Sequence, residues 1–218
     1  MERVLEPEVM DSADEAADYD AMDHAEVNAR FCEDLLALRA PLPSPVLDVG
    51  TGTARIPIEL CTRAPEVSIV AIDLADHMLA LAASNVARAG LGSRIRLERV
   101  DAKAMPYEDG AFGATVSNSI VHHIPEPRHV LSEMWRVTAR GGVLFVRDLS
   151  RPSSREEVDR LVALYGGDHV PARELFRASL CAALTPNDVA SLIAPLGIAP
   201  SAVRLTSDRH WTLSCKKP

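Results

Sequence analysis

The sequence lacks the cysteine pairs that a structural zinc site or a disulfide framework requires. Its four cysteines, Cys32, Cys61, Cys181 and Cys215, are scattered over 218 residues and form no Cys-x-x-Cys pair. This pattern argues against both kinds of cross-link. We therefore expect buried or free thiols in a reducing compartment.

Long apolar runs and an excess of positive charge are also missing. The longest apolar runs fall well short of the roughly 20 residues of a membrane helix, and no basic-then-apolar signal segment opens the chain. The chain has 23 Lys and Arg against 31 Asp and Glu, a net charge of −8, which disfavours a broad nucleic-acid surface. We expect a cytoplasmic protein, not bound to membranes, with a small-molecule or protein partner; a local basic patch for RNA stays open.

Length and periodicity predict one α/β domain with a helical segment before it. Residues 12–39 have helical periodicity, with a break near Asp23, and Pro41, Pro43 and Pro45 then end the helical pattern. We assign residues 1–45 to an N-terminal helical lid and residues 46–218 to the main domain. In the lid, the candidates for contact with a bound ligand are Tyr19, Met22, His24 and Asn28.

A glycine turn near residue 50 organises the domain. Residues 46–49 form a short apolar run typical of a buried strand, and helical spacing begins after Thr53. Gly50 and Gly52 can adopt positive φ and allow a ligand to lie against the backbone, as in nucleotide-binding βα turns. The dinucleotide fingerprint requires a third glycine where this chain has Arg55, which argues against NAD.

Acidic residues end each of the first three predicted strands. Asp48 belongs to the strand before the glycine turn, Asp73 follows the apolar run 67–72, and Asp101 follows the strand 95–100. A carboxylate about 20 residues after the glycine turn is suited to accept both ribose hydroxyls of a nucleoside. Three acids at adjacent strand ends are a much more specific signal for a nucleoside-binding site than the two glycines alone.

The pattern Asp48-x-Gly50-x-Gly52 resembles motif I of class I S-adenosylmethionine-dependent methyltransferases, although Ala54 stands where that family often has a third glycine. The segment 105–112 looks like the corresponding loop of the methyltransferase-11 group. The paired histidines after the fourth strand are similar to those of the ubiquinone/menaquinone-biosynthesis-like group. The resemblance covers roughly residues 46–216.

This resemblance implies a fold and a cofactor. The fold is an α/β Rossmann-like doubly wound seven-stranded sheet of order 3-2-1-4-5-7-6, with strand 7 antiparallel and an N-terminal helical lid. The cofactor is S-adenosyl-L-methionine, and its product is S-adenosyl-L-homocysteine. The predicted cofactor-binding residues are Tyr19, Asp48, Gly50, Thr51, Gly52, Asp73, Leu74, Met78, Asp101, Ala102 and Asn118.

Two adjacent histidines are the candidate catalytic residues. His122 and His123 follow the fourth strand, near the expected position of the methyl group, and either could accept a proton from an acceptor. Alternatively, one imidazole braces the loop and the other packs under the next helix. A metal site is not expected, because adjacent residues of an extended chain point apart and no acidic cluster is evident nearby.

Substrate binding is assigned to charged and aromatic residues nearer the C-terminus. A helical insert of two or three helices over about 153–194 is expected near the acceptor, and residues 203–215 predict an antiparallel hairpin. For the arginines near the end of the fifth strand, the alternative is an ion pair of Arg147 with Asp148 or a helix-capping ion pair, and for Trp211 it is edge-strand packing. The substrate-binding candidates are Arg147, Arg151, Tyr165 and Arg209.

The implied reaction is in-line methyl transfer to a small molecule, to which the protein contributes chiefly positioning and exclusion of water. An RNA or protein methyltransferase and a non-catalytic cofactor-binding domain are the alternatives. The expected oligomeric state is a monomer or a homodimer.

Overall fold

The structure, a computed structural model, describes residues 1–7, 11–22 and 25–218. The helices are α1 (Ala13–Ala21), α2 (Ala25–Leu38), α3 (Arg55–Arg63), α4 (Asp76–Arg88), α5 (Pro127–Val137), α6 (Arg155–Tyr165), α7 (Val170–Ala182) and α8 (Pro186–Ile193). The strands are β1 (Val46–Val49), β2 (Ile69–Asp73), β3 (Ile95–Arg99), β4 (Phe112–Asn118), β5 (Thr138–Leu149), β6 (Val203–Leu205) and β7 (His210–Lys216).

The seven strands form one sheet of order β3-β2-β1-β4-β5-β7-β6. Strands β1 to β5 run parallel, and β7 runs antiparallel to both β5 and β6. All four residues of β1 are buried, which is why this strand reads as a continuous apolar run rather than an alternating one. The predicted order and the antiparallel last strand are confirmed.

Helices cover both faces of the sheet. Successive residues of β5 face opposite sides, so that Val143 and Phe145 pack in one apolar cluster while Leu144 and Val146 pack in another. The first cluster also contains buried residues of α2, α3 and α4, and the second contains those of α5 and α8. The sheet is therefore the middle layer of three.

The fifth strand is longer than the sequence indicates. Gly141 and Gly142 are typical of a helix end followed by a strand at Val143, but β5 already begins at Thr138. The register of β4 and β5 shifts between Phe112 and Ala114, and a Cβ on Gly142 would lie 2.6 Å from the carbonyl oxygen of Gly113. The second glycine thus permits close strand contact at an irregularity inside the strand.

The N-terminal helices have different roles. Phe31 and Leu35 of α2 are fully buried, so this helix belongs to the core of the sheet face. Helix α1 instead packs on α4 through Ala16 and Met78, and it carries Tyr19 towards the carboxyl ends of the strands. The division into a lid over 1–45 and a domain over 46–218 stays a prediction.

Residues 1–7, called the N-terminal segment below, lie against α7 and the loop between β4 and α5. The amide of Val4 donates to the carbonyl of Cys181 (3.0 Å), and Arg3 donates to the carbonyls of His122 and Ile124 (3.0 Å each). The predicted helical insert consists of α6, α7 and α8. Across the described ranges, no helix has the length and apolar character needed to cross a membrane.

Candidate functional site

A cleft with about 850 Å³ of empty space lies at the carboxyl ends of the parallel strands. In an open α/β sheet, the neighbouring ends of β1 and β4 are where the chain order reverses and ligands bind. The residues predicted to bind cofactor that line this cleft are Tyr19, Gly50, Gly52, Asp73, Leu74, Met78, Asp101, Ala102 and Asn118. Asp48 and Thr51 line a smaller pocket that shares Tyr19, Gly50 and Asn118 with the cleft.

The glycine turn after β1 is tightly constrained. Gly50 has φ +73°, and a Cβ there would lie 2.0 Å from Cγ2 of Ile120, which also lines the cleft. At Gly52 the nearest atom to such a Cβ would be Cε1 of Tyr19 at 3.5 Å. Ala54 has φ +62°, which explains why a third glycine is often found at this position in the family that the sequence resembles.

Asp73 is already engaged with the glycine turn. Its carboxylate accepts hydrogen bonds from the amides of Gly52 (2.7 Å) and Ala75 (3.0 Å). Burial raises the pKa of Asp73 despite these hydrogen bonds. The carboxylate is therefore fixed at the end of β2, where it faces the cleft.

Asp48 is a buried acid with no cation beside it in the described residues. Only 2% of its surface is exposed, and burial, together with the nearby Asp73 carboxylate, raises the pKa of Asp48 to about 7. A cationic ligand in the adjoining pocket would offset the desolvation of the Asp48 carboxylate, because a nearby positive charge favours the ionised form. Asp48 is accordingly suited to an ammonium group.

Asp101 is different, since it lies at the mouth of the cleft. Its side chain is 42% exposed, and it contacts the Lys103 ammonium (3.0 Å) and backbone amide (2.9 Å). Burial works to raise its pKa, but the contacts with Lys103 prevail and the pKa of Asp101 is lowered. This acid is ionised and able to accept a hydrogen bond from a ligand in the cleft.

These groups fit S-adenosylmethionine. The Oδ1 atom of Asn118 is buried without a hydrogen-bond partner among the described residues, and it lies on the wall shared by the two cavities. An unpaired buried acceptor is costly unless a ligand supplies the donor. An amide oxygen and a buried carboxylate together match an ammonium, while Asp73 and Asp101 offer acceptors further along the cleft.

His122 is not a free base in this structure. Its Nδ1 lies 2.5 Å from Oδ1 of Asp148, which is fully buried, and its Nε2 lies 3.4 Å from Oε1 of Glu6. Burial opposes the imidazolium, but the two carboxylates outweigh it and the pKa of His122 is raised. The Oδ2 atom of Asp148 also accepts the amides of Val121 (2.6 Å) and His122 (3.2 Å), so the pair braces the loop.

His123 lines the cleft next to Ile120 and Ile124. Burial and the neighbouring charged His122 lower the pKa of His123 to about 4, so the ring is neutral near pH 7. Neutral imidazole can accept a proton, although a base with so low a pKa is weak. A catalytic role for either histidine stays a prediction.

The two premises against a metal site are wrong. Residues 121–123 form a turn of 3-10 helix rather than an extended chain, and the two imidazole rings lie 4.1 Å apart. Two acids are also close, because Asp148 comes from β5 and Glu6 comes from the N-terminal segment. Glu6 was not a candidate in the sequence analysis, since it lies more than one hundred residues from His122 and His123 along the chain.

The structure does not bring the four substrate-binding candidates into either cavity. Arg147 is buried over Phe31 and Phe145, and it donates to Asp34 (2.7 Å). Arg151 donates to Asp188 (2.9 Å). Their guanidinium groups are thus bound by the protein's own acceptors.

Tyr165 and Arg209 form a separate surface group. The guanidinium carbon of Arg209 lies 3.5 Å from the centroid of the Tyr165 ring, and both side chains bond to Asp208. The positions of Tyr165, Arg209, Arg147 and Arg151 do not support a role in acceptor binding. That role stays a prediction.

Some cleft residues were missed by the sequence reasoning. Ser119 (φ +61°), Ile120 and Ile124 line the cleft, as does Lys103. Their position directly after β4 or β3 is the only signal that could have found them. Of the proposed lid contacts, Met22 and Asn28 line the smaller pocket, and His24 lies outside the described residues.

Comparison with known proteins supports a family assignment. Residues 46–142 match the family model described as a methyltransferase domain. A demethylmenaquinone methyltransferase of Deinococcus radiodurans is 39% identical over 112 residues, which cover 51% of this chain and 46% of that protein. A malonyl-(acyl-carrier protein) O-methyltransferase of Geobacter sulfurreducens is 36% identical over 132 residues, covering 59% and 47%. The chain spans about half the length of these curated relatives.

The fold is shared more widely than the sequence. A crystal structure from Methanococcus maripaludis, assigned as an S-adenosyl-L-methionine-dependent methyltransferase, has a TM-score of 0.76 with 18% identity. The superposition covers 99% of this chain and 98% of that one. The likeness thus extends over the N-terminal helices and the insert as well as the central sheet.

Proposed function

We propose that this chain is a class I S-adenosylmethionine-dependent methyltransferase of the ubiquinone/menaquinone-biosynthesis-like group, and that it transfers a methyl group to a small-molecule acceptor; the matched family model, the relatives and the shared fold support this proposal. The observation that carries the proposal is the placement of three carboxylates. Asp48, Asp73 and Asp101 lie at the ends of β1, β2 and β3 and face one continuous pair of cavities around the glycine turn.

Each part of the site suits a part of the cofactor. Asp48 and the Asn118 amide oxygen would hold the methionine ammonium, and Asp73 would accept the ribose hydroxyls. Asp101 would accept the adenine amino group, next to the Ala102 amide. Leu74 and Met78 lie on the same wall and would pack against the purine.

The cofactor supplies the activated methyl group, bound to a sulfonium. The protein's part is to position the acceptor in line and to exclude water from the reacting atoms. The wall of the cleft includes Tyr19, Ile120 and Ile124 as well as Asn118. His123 lies on this wall as a neutral ring and would contact the acceptor rather than serve as a strong base.

The acceptor proposal draws on the relatives and on the charge of the chain. The first relative named above acts on demethylmenaquinone, as its name states, and a quinone-type small molecule would suit the apolar wall of the cleft. The net charge of −8 disfavours a polyanionic partner. We also propose a cytoplasmic monomer or homodimer, in keeping with the four free cysteines.

Calorimetric titration with S-adenosylhomocysteine tests the cofactor site. We expect Asp73→Ala to weaken binding by roughly 1–3 kcal/mol, because the ribose hydroxyls would lose their acceptor in a buried site. Asp76→Ala is the matched control, since Asp76 is an exposed acid three residues away that pairs with Arg99. Unchanged affinity in the Asp73 variant, or equal losses in both, would refute the assignment. Release of homocysteine-containing product over a panel of small acceptors would then identify the substrate.

A further inference from the structure

We propose that Glu6, His122 and His123 form a binding site for one divalent transition-metal ion of the zinc class, where the N-terminal segment meets the wall of the cleft. The potential ligand atoms of these three residues all lie within 4.8 Å of one another. The site is separate from the cofactor residues, and His123 is its only member that lines the cleft.

The distances between the ligand atoms suit one ion. Oε1 of Glu6 lies 3.1 Å from Nδ1 of His123 and 3.4 Å from Nε2 of His122. Ligands about 2.1 Å from a metal lie about 3.0 Å apart in octahedral geometry and about 3.4 Å apart in tetrahedral geometry. The carboxylate oxygen is therefore already at ligand spacing from both imidazoles.

Two of these ligand atoms make no hydrogen bond within the described residues. The Glu6 side chain is only 8% exposed, yet its Oε1 has no hydrogen-bond partner among the described residues, and neither has Nδ1 of His123. These two atoms are close but misaligned for a hydrogen bond to each other. That arrangement is expected of two ligands that face a common third point.

A second carboxylate, that of Asp148, binds the other ring nitrogen of His122. Asp148 holds Nδ1 of His122 at 2.5 Å, which leaves Nε2 directed towards Glu6. Metal-binding histidines commonly bond a carboxylate through their other nitrogen, which fixes the tautomer and the ring orientation. The backbone amides of Val121 and Leu149 each donate to Asp148 at 2.6 Å and hold this carboxylate in place.

The ligand set indicates the class of metal. Two imidazoles and one carboxylate suit zinc and other first-row divalent ions, whereas magnesium and calcium prefer oxygen ligands. Glu6 and Asp148 together carry two negative charges, enough to balance a divalent ion in a buried site. A bound ion would join the N-terminal segment to the loop after β4, which Arg3 already contacts through backbone carbonyls.

The experiment uses the full chain, stripped with a chelator and dialysed. We expect one Zn²⁺ per chain by elemental analysis after reloading, and visible d–d absorption on titration with Co²⁺ that saturates at one equivalent. Glu6→Gln should weaken Zn²⁺ binding at least tenfold, and Asp148→Asn should weaken it about 10- to 100-fold through loss of the outer carboxylate.

His77→Asn is the matched control. His77 also pairs with an acid, Asp11, at 3.0 Å, but both side chains are partly exposed and no third ligand joins them. Its Zn²⁺ affinity should equal that of the wild type. Circular dichroism shows whether each variant is folded. Titration with S-adenosylhomocysteine shows whether each variant still binds the cofactor product without the metal. Failure of the metal proposal can thus be distinguished from failure of the cofactor assignment.

The proposal is overturned if the stripped wild-type chain takes up less than one equivalent of Zn²⁺ and gives no Co²⁺ spectrum. It is equally overturned if a folded Glu6→Gln chain binds Zn²⁺ as tightly as the wild type, or if His77→Asn loses as much affinity as Glu6→Gln.

Discussion

Asp48 lies in the proposed ligand site, and its burial lowers the stability of the ligand-free protein when the carboxylate is ionised. Its pKa is about 7 in the fold against 3.8 ordinarily, chiefly because of burial, so the folded chain holds a proton that the unfolded chain releases. Stability from this group is present below about pH 4 and is lost as pH rises to about 7. Three pKa units correspond to about 4 kcal/mol, which is an upper bound for the effect.

Asp48→Asn should therefore stabilise the ligand-free protein more at pH 8 than at pH 5. We expect the free energy of unfolding of the variant to exceed that of the wild type by about 2 kcal/mol at pH 8, and by much less at pH 5. Urea denaturation of both proteins at the two pH values measures this difference. A gain that is the same at both values would show that ionisation of Asp48 is not the cause.

Alanine substitutions at Gly50 and Gly90 distinguish the effect of backbone strain from that of steric conflict. Their φ angles are +73° and +70°, but a Cβ on Gly50 would lie 2.9 Å from Cβ of Ile120, whereas a Cβ on Gly90 would meet nothing within 4 Å. Both alanine variants should lose about 1–2 kcal/mol to the left-handed conformation, and Gly50→Ala should lose about 1–3 kcal/mol more. Urea denaturation that gives equal losses would contradict the contact with Ile120.

At the scale of elements, helix α8 shows how a local pattern sets a boundary. Thr185 accepts the amide of Asp188 (3.1 Å), and the Asp188 carboxylate accepts the amide of Thr185 (2.9 Å), which forms a capping box before Pro186. The sequence Thr185-Pro186-Asn187-Asp188 is itself the signal for this start, because both hydrogen bonds join residues three positions apart.

Thr185→Ala should lower the free energy of unfolding by about 1 kcal/mol, since it leaves a helix amide without its acceptor. Ser191→Ala in the same helix is the control, because Ser191 is exposed and only donates to the carbonyl of Asn187. Thermal denaturation should separate the two variants. Equal melting temperatures would mean that the cap contributes nothing.

The loop after β4 shows where prediction from local pattern ends. His123 of the histidine pair lines the cleft, but the contacts of the pair come from Asp148, 26 residues after His122, and from Glu6, which precedes the first helix. Seven residues without helical or strand periodicity carry no signal for the partners they will meet. Likewise, the sequence does not show that Arg147 and Arg151 pair with Asp34 and Asp188, because these ion pairs depend on packing between distant elements.

At the scale of the whole molecule, the sheet order and the last antiparallel strand could be predicted, because buried parallel strands, glycine turns and hairpins have distinct patterns. The three acids were predictable for a related reason: their role depends on the strand end, and strand ends are visible in the sequence. The early start of β5 could not be predicted, because Gly141 and Gly142 are typical of a helix end. Only the register shift between β4 and β5 shows that these glycines lie inside a strand.

The position of β7 between β5 and β6 has a consequence during synthesis on the ribosome. Until residues 210–216 have emerged, the outer edge of β5 offers seven unpaired positions, from Val143 to Leu149, to any neighbouring nascent chain. An open edge of this length, rich in apolar side chains, favours intermolecular pairing. Translation products that stop before residue 210 should therefore be less soluble than the full chain, and they should accumulate as insoluble material.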